Sequence, residues 1–365
     1  MAKIPVAVIP GDGIGPEVVA ATVPVLVAAA AREGATLAIT EYDWGAERYL
    51  RTGAAMPADG PDQVRSARAA LFGAVGHPGV PDHELVWGLI IRLRQALDLA
   101  VNLRPVRSWP GVSTPLRDAD GTDILIVREN TEGEYTGVGG RVRPGADAEI
   151  ALEVAVHSRA VIARAARYAF DAARARRGHL ALVTKSNAMR HGYTLWDAVV
   201  DEVAADYPDV RYERVLVDAM AARLVQRPRS LDVLLASNLF GDILSDLAAV
   251  LAGGLGMAPS GNVLPGQSPG VFESVHGSAP DIAGRGIANP VACLLSGAML
   301  LDHVGLPGAA EAVRTAVGAA LTDPANHTPD LGGAGTTTTL AGAVLAALPD
   351  APVPAVTATG GNGQS

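Results

Sequence analysis

The sequence is poor in cysteine, in clustered basic residues and in long apolar runs. Cys293 is the only cysteine among 365 residues, so an internal disulfide is impossible, and its apolar neighbours predict a buried, inert thiol. The net charge is -9 and no basic stripe is present, which argues against nucleic acid as a partner. The longest apolar-rich stretch, Val18 to Ala31, is shorter than the ~20 residues of a membrane span, and no secretory pattern precedes it. We therefore expect a soluble, cytoplasmic protein with no membrane partner.

What the sequence does contain is an alternation of short β-branched runs and helical patterns. The runs "IPVAVIP", "AALFGAVG" and "HLALVTKSN" are each followed by a helical period, which predicts an α/β protein with a largely parallel sheet. "DILIVREN", "VRYERVLVDAM" and "LDVLLASN" are also predicted as strands, each with a polar end. The length favours two domains. Residues 139–149 predict an exposed loop or projecting arm, and residues 349–365 a disordered tail.

Two carboxylates in "SNLFGDILSDLAAVLAGG" stand four residues apart, where a helix would put them on one face. Asp242 and Asp246 would then repel each other by roughly 0.2–0.5 kcal/mol. Together with Asp218, which ends an apolar run in "VLVDAM", they could bind a hard cation such as Mg²⁺ or Mn²⁺. The alternative is that Asp242 caps the helix and Asp246 faces solvent.

Three arginines stand at segment ends or on an apolar helix face. The spacing i, i+3, i+4, i+7 in "VWGLIIRLRQALDL" predicts one shared face for Trp87, Ile90, Ile91 and Arg94. Arg104 in "NLRP" and Arg128 in "VREN" follow along the chain. Three guanidinium groups could converge on carboxylates, although a lone arginine at a core edge is more often a snorkelling side chain.

Further candidates for chemistry are one tyrosine, one lysine and a glycine-rich turn. Tyr135 in "RENTEGEYTG" could act through its hydroxyl or simply cap its loop. Lys185 in "LVTKSN" could serve as a base or reach to solvent from a strand end. The turn "IPGDGIGPE" does not match the G-x-G-x-x-G dinucleotide fingerprint, so it is either a phosphate-binding turn or a tight turn that needs positive φ.

Taken together, these segments resemble the β-decarboxylating dehydrogenases, the family of isopropylmalate, isocitrate, homoisocitrate and tartrate/D-malate dehydrogenases. The motifs, in chain order, are "IPGDGIGPEV", "GAVG", "NLRPV", "VRENTEGEY", "TKSN", "VDAM", "SNLFGDILSDL" and "VHGSAPDIAGRGIANP". The resemblance implies a two-domain isocitrate/isopropylmalate dehydrogenase-like α/β fold that is not a Rossmann fold. It implies a first domain of residues 1–103 and 255–348 and a second domain, with the arm and a dimer interface, of residues 104–254.

The resemblance also assigns roles to the candidate residues. Arg94, Arg104 and Arg128 would hold the substrate carboxylates, and Asp218, Asp242 and Asp246 would hold Mg²⁺ or Mn²⁺, with K⁺ as a further candidate cation. Lys185 would help to remove the hydroxyl proton, and Tyr135 would protonate the enolate carbon after decarboxylation. Members of the family form homodimers or larger homo-oligomers, in which Lys185 and Asp218 would reach into the partner's site.

The cofactor implied by the resemblance is NAD. The segment "HGSAPDIAGRGIANP" corresponds to the adenosine-binding loop of the family, and Asn187 to a residue near the nicotinamide amide. Because a carboxylate accepts hydrogen bonds from a ribose hydroxyl and repels a 2′-phosphate, Asp281 favours NAD over NADP. The expected contacts in the loop are His276, Gly277, Ala279, Asp281 and Asn289.

The substrate class implied is a (2R)-hydroxy dicarboxylate. "PDHELVWGLI" is most similar to the tartrate/D-malate group, and a bulky indole at Trp87 favours a small C3 substituent. The alternatives are 3-isopropylmalate, for which Ile90 and Ile91 could line an alkyl pocket, and another 3-substituted malate of a specialised biosynthetic pathway. A regulatory, ligand-sensing subunit is a further alternative, against which the full set of catalytic groups argues.

Overall fold

A ten-stranded sheet forms the centre of the molecule, and a two-stranded hairpin lies apart from it. The computed structural model describes residues 2–349, so the predicted tail lies outside the described residues except for Pro349. The strands of this part of the chain are β1 Ala2–Gly11, β2 Ala35–Glu41, β3 Ala69–Ala74, β4 Val101–Arg107, β5 Asp123–Glu129, β6 Gly139–Val142, β7 Ile150–Glu153, β8 His179–Thr184, β9 Arg211–Leu216, β10 Val233–Ala236, β11 Pro259–Val263 and β12 Gly270–Ser274.

Helices cover both faces of the sheet and supply most of the connections between strands. Those of the described residues are α1 Gly15–Arg32, α2 Ala46–Thr52, α3 Gly60–Arg65, α4 Asp82–Val86, α5 Arg92–Ala96, α6 Arg159–Arg174, α7 Gly192–Ala204, α8 Val217–Gln226, α9 Asn238–Leu251, α10 Val291–His303, α11 Pro307–Leu321 and α12 Thr337–Ala346. A π-helical turn, Trp87–Ile91, joins α4 to α5.

The sheet is parallel at both ends and antiparallel in the middle. The strand order is β2-β1-β3-β12-β11-β4-β5-β10-β8-β9. The pairs within β2-β1-β3-β12 and within β5-β10-β8-β9 are parallel, whereas β12-β11, β11-β4 and β4-β5 are antiparallel. The predicted α/β class with a largely parallel sheet is confirmed. Because the ten strands form one continuous sheet, the domain bounds at residues 103 and 255 stay a prediction.

The first helix, α1, contains a proline. Pro24 lies inside α1, which nevertheless runs unbroken from Gly15 to Arg32. By length and composition alone this helix could cross a membrane. Its buried side chains, among them Val18, Val25 and Leu26, lie in the main core, and the helix packs against α10, α11 and α12.

The predicted arm, residues 139–149, contains β6 and the turn that leads to β7, with which β6 forms a hairpin. The two strands pair from Gly139↔Glu153 to Val142↔Ile150. Apolar side chains on both strands, including Val142 and Leu152, are about half exposed. An isolated two-stranded hairpin is at best marginally stable in water, so this one is suited to packing against another surface.

One predicted strand is shorter than expected. The run "VRYERVLVDAM" was predicted to be extended throughout, but β9 ends at Leu216 and α8 begins at Val217. Asp218 therefore lies in the first helical turn, where the helix dipole favours a carboxylate. The alternation of apolar residues in the run does not distinguish a strand from a strand followed by a helix start.

Candidate active site

A cavity of about 310 Å³ opens over the antiparallel middle of the sheet. Its wall is formed by the carboxyl ends of β3, β5 and β12, by β4, by the helical segment around the π-helical turn, and by α9. The predicted site residues that line it are Ile90, Ile91, Arg94, Arg104, Arg128, Tyr135, Asp242, His276 and Gly277.

The π-helical turn determines which side chains of the 82–96 segment face the cavity. A π-helical turn holds one residue more than an α-helical turn, so the regular 3.6-residue spacing is interrupted. Val86, Ile90, Ile91 and Arg94 line the cavity, whereas Trp87 is 38% exposed and is absent from its wall. The indole instead lies against Gly137, where an added Cβ would be 2.9 Å from Trp87 Cη2. The predicted four-residue face is therefore wrong at Trp87.

Arg128 is the most deeply buried charge of the site. Its side chain is 2% exposed, its Nε donates to Asn238 Oδ1 at 2.9 Å, and its Nη1 donates to Asp242. Burial lowers the pKa of Arg128 to about 9, so the guanidinium remains cationic at neutral pH. Gly241 makes room for it, because a Cβ there would lie 2.6 Å from Arg128 Cγ. Asn238 and Asp242 of "SNLFGDILSDL" thus hold this arginine.

Arg104 joins the same cluster from the neighbouring strand. It donates to Ser245 Oγ at 2.6 Å and to Asp246 Oδ1 at 3.1 Å, and its Nη2 lies 3.3 Å from Asp242 Oδ1. Burial alone would raise the pKa of Asp242, but Arg128 and Arg104 outweigh it and hold that pKa below its ordinary value. Burial raises the pKa of Asp246, and the negative charge of Asp242 adds to the rise. The arginines therefore outweigh the effect of burial at Asp242, whereas at Asp246 the effect of burial exceeds that of Arg104.

Tyr135 lies at the end of its loop, directly above this cluster. Its hydroxyl donates to Asp242 Oδ2 at 3.0 Å, and the guanidinium of Arg128 lies 5.6 Å from the ring centre. Burial, followed by the charge of Asp242, raises the pKa of Tyr135 above its ordinary value. The phenol therefore stays protonated at neutral pH, in the state of a proton donor.

Lys185 and Asp218 lie outside the cavity. Lys185 Nζ donates to Asp218 Oδ1 at 2.6 Å, and this hydrogen bond lowers the pKa of Asp218. The Asp218 side chain is 66% exposed. Among the described residues, no three His, Cys, Asp or Glu side chains lie close enough to hold a metal ion. The structure thus brings together Asp242 and Asp246 but not Asp218.

The predicted cofactor loop lies beside the arginines. His276 and Gly277 line the same cavity. The His276 Nε2 and Ser274 Oγ atoms are buried and have no protein partner among the described residues. Burial lowers the pKa of His276, so its imidazole is neutral at neutral pH. Two buried polar atoms beside an open cavity fit a ligand with its own donors and acceptors.

The glycine-rich turn supports this loop. Gly11 and Gly13 both have positive φ, which confirms the tight-turn alternative. A Cβ at Gly13 would lie 2.0 Å from Ser278 O, and Ile14 N donates to that oxygen at 2.8 Å. The turn therefore fixes the loop through its backbone.

The remaining predicted cofactor residues differ in how accessible they are. Ala279 has a positive φ of 39°, and Asp281 is exposed. Asn187 is exposed but lies outside the cavity. Asn289 is buried: its amide donates to Asp330 at 3.0 Å and its oxygen accepts from Val291 N at 3.0 Å. Its polar atoms are thus already engaged within the chain.

Sequence reasoning missed two residues that hold the arginines. Arg94 Nη2 donates to Glu273 Oε1 at 3.0 Å, and Arg104 Nε donates to Asn102 Oδ1 at 2.8 Å. Both partners are buried. A signal was available, because a glutamate and an asparagine inside otherwise apolar strands are unusual and need buried partners.

Comparison with known proteins places this geometry in one family. A family model described as isocitrate/isopropylmalate dehydrogenase matches residues 5–344. The chain belongs to the isocitrate/isopropylmalate dehydrogenase family. The predicted family and fold class are thereby confirmed, and the chain is a decarboxylating dehydrogenase.

Curated relatives carry two different substrate names. A protein from Agrobacterium vitis named "Probable tartrate dehydrogenase/decarboxylase" is 47% identical over 95% of this chain and 98% of its own length. A 3-isopropylmalate dehydrogenase from Thermobifida fusca (strain YX) is 48% identical over 89% of this chain and 93% of its own length. Membership of this family therefore does not single out one substrate.

A solved structure of the family has the same architecture. The isocitrate dehydrogenase from Methylococcus capsulatus superposes with a TM-score of 0.86 at 38% sequence identity. The match covers 95% of this chain and 99% of the other. The family fold therefore extends over nearly the whole chain.

Proposed function

We propose that this chain is an NAD-dependent and divalent-metal-dependent dehydrogenase that oxidises and decarboxylates a (2R)-hydroxy dicarboxylate, with D-malate or tartrate as the first candidates. The observation that carries the proposal is the cavity in which Arg94, Arg104 and Arg128 surround a protonated Tyr135. Three guanidinium groups can hold two carboxylates by bidentate hydrogen bonds.

The proton transfers are assigned to two residues of this chain. Lys185 would take the proton of the C2 hydroxyl when that alcohol is oxidised, and a bound nicotinamide cofactor would supply the hydride acceptor. Loss of CO₂ from the resulting 2-keto acid leaves an enolate, and Tyr135 donates a proton to its carbon. The raised pKa of Tyr135 keeps that proton in place until a strong base forms beside it.

The residues present fit a divalent cation. Asp242 and Asp246 lie one helical turn apart on α9 and offer carboxylate oxygens, the ligands that hard divalent cations prefer. These two aspartates and Asp218 would hold Mg²⁺ or Mn²⁺. When bound, such a cation acts as a Lewis acid that accepts charge at the carbonyl during decarboxylation. K⁺ remains a further candidate without a residue assigned to it.

A nicotinamide cofactor fits the loop that follows β12. His276, Gly277 and Ala279 would contact its adenosine part, and the exposed carboxylate of Asp281 would accept hydrogen bonds from a ribose hydroxyl. Asn187 would lie near the nicotinamide amide. Because Asn289 is already hydrogen-bonded within the chain, we expect it to support the loop from beneath.

The proposal includes a homodimer with shared sites. Lys185 and Asp218 lie outside the cavity that holds the other groups, so a partner subunit is needed to complete the site. Exposed apolar residues on the hairpin and on α9, among them Leu152 and Ile243, provide a surface for such a partner. In the dimer, each subunit would supply a lysine and an aspartate to the other.

A substrate panel tests the proposal. NADH formation is followed with Mn²⁺ or Mg²⁺ and D-malate, the tartrate stereoisomers, 3-isopropylmalate, isocitrate or homoisocitrate. Fast turnover of D-malate or tartrate is the expected result. Turnover with NADP but not NAD would contradict the role given to Asp281, and turnover without any divalent cation would contradict the metal site.

The second candidate function is 3-isopropylmalate dehydrogenase. Ile90 and Ile91 line the cavity, where an alkyl substituent could pack, and Trp87 lies outside that wall. A relative of that name is 48% identical to this chain. The same panel separates the candidates, because preference for 3-isopropylmalate over D-malate would favour the second.

A further inference from the structure

A continuous chain of hydrogen bonds joins Arg94 to Arg104 behind the cavity wall. Glu273 Oε1 accepts from Arg94 at 3.0 Å and from Asn262 Nδ2 at 2.8 Å. Asn262 Oδ1 accepts from Asn102 Nδ2 at 3.0 Å, and Asn102 Oδ1 accepts from Arg104 Nε at 2.8 Å. Both ends of this five-residue chain are arginines that line the cavity.

Asn262, in the middle of the chain, has only one orientation that satisfies its neighbours. Its oxygen also accepts from Asn130 at 3.0 Å, and its nitrogen also donates to Val271 O at 3.1 Å. Asn262 is fully buried and uses its full capacity of two donated and two accepted hydrogen bonds. If the Asn262 amide were rotated by 180°, its NH₂ group would face the donating NH₂ groups of Asn102 and Asn130. The side chain is therefore fixed in one orientation.

The strand register holds the two asparagines together. Asn262 is paired with Asn102 across β11 and β4, and Asn102 is paired with Arg128 across β4 and β5. A buried polar chain of this kind is less favourable than apolar packing unless every member is satisfied. Since this chain of hydrogen bonds is anchored by the backbone of three strands, it fixes Arg94 and Arg104 before any ligand arrives.

We propose that Asn262 and Asn102 are positioning residues that set the separation of the Arg94 and Arg104 guanidinium groups, so that the cavity selects dicarboxylates by the distance between their carboxylates. The inference rests on the proposed function in that both arginines bind the substrate. A displacement of about 1 Å at such a contact is enough to lower rates by about 100-fold, so a fixed spacing discriminates strongly.

Calorimetric titration with unreactive dicarboxylates tests the proposal without turnover. Oxalate, malonate, succinate and glutarate, which differ only in chain length, are titrated into the wild-type protein and into Asn262→Leu. The wild type should prefer one length by about tenfold or more, and Asn262→Leu should bind all four within about threefold. In Thr337→Val, the lost hydrogen bond is also buried but runs to the Ala288 carbonyl and contacts no member of this hydrogen-bond chain. This matched variant should keep the wild-type preference.

A second variant covers the case in which Asn262→Leu does not fold. Asn102→Ala removes the contact to Arg104 and should also flatten the preference. An unchanged preference in either folded variant, or a wild type that binds all four dicarboxylates equally or binds none, would overturn the proposal. A clear preference that is lost in the variants, in a protein that oxidises no substrate of the panel, would contradict the proposed function alone.

Discussion

Two charged clusters of this chain, formed by candidate residues from the sequence, differ in burial and in completeness. The cavity cluster, built on Arg128 and Asp242, is largely buried, and its groups are fixed by hydrogen bonds from three elements. The Lys185–Asp218 pair is a single ion pair, with the aspartate two-thirds exposed. A buried cluster sets the geometry of a site, whereas an exposed pair can exchange partners at low cost. The cavity cluster can bind a ligand, and the Lys185–Asp218 pair is available to complete a site outside this cavity.

The largest expected effect is the loss of either proton-transfer group. Lys185→Met and Tyr135→Phe should each lower kcat by about 10²–10⁴-fold on the best substrate of the panel. The two variants remove one group from each cluster, so they also test whether the clusters act in the same site.

Mixed subunits of these two variants sharpen the comparison. If sites are shared, a hybrid dimer contains one site with both Tyr135 and Lys185 intact. Random mixing should then restore roughly one quarter of wild-type activity, since half of the dimers are hybrids with one good site each. Activity is measured after joint refolding or co-expression. No recovery, with hybrids confirmed by mass spectrometry, would show that each subunit works alone.

The same substitution in the two clusters should separate function from stability. Asp242→Asn and Asp218→Asn should both lower kcat/KM by about 100-fold, because each is assigned to the metal. Only Asp242→Asn should also destabilise the fold, because it leaves Arg128 buried beside a neutral amide. The free energy of unfolding, measured by chemical denaturation, should fall by about 1–3 kcal/mol. Equal stability of the two variants would contradict the structural role given to Asp242.

Much of the cavity cluster was predictable because its signals are local. The helix face of Asp242 and Asp246 follows from their spacing, and the strand-end positions of Arg128 and Lys185 follow from apolar runs that stop there. The contacts of Glu273 and Asn102 were missed because they depend on strand register between distant segments. The π-helical turn was missed because no residue type marks it, and Trp87 was therefore placed on the wrong face.

The apolar wall of the cavity should control substrate choice less strongly than the arginines control binding. Ile90 lines the cavity and Trp87 is absent from its wall, so Ile90→Ala should change substrate preference more than Trp87→Ala. We expect Ile90→Ala to raise the kcat/KM ratio of 3-isopropylmalate to D-malate by about tenfold, which is typical of altered space in an apolar pocket. A larger shift in Trp87→Ala would mean that the indole moves into the cavity when substrate binds.

The smallest expected effect concerns Asp246, the carboxylate of the cavity cluster whose pKa is raised by burial. Because burial raises the pKa of this carboxyl in the folded state, its ionisation favours unfolding. Asp246→Asn should therefore raise the melting temperature at pH 7 without added metal. The gain in the free energy of unfolding should stay below about 1 kcal/mol, since the half-exposed group is screened by solvent. The gain should vanish below about pH 4, where the unfolded carboxyl is also protonated.

Mn²⁺ should raise the melting temperature of the wild type but not of Asp246→Asn, because the carboxylate that destabilises the isolated chain is the one assigned to the cation. A variant less stable than wild type at pH 7 would mean that the hydrogen bond from Arg104 outweighs the repulsion from Asp242.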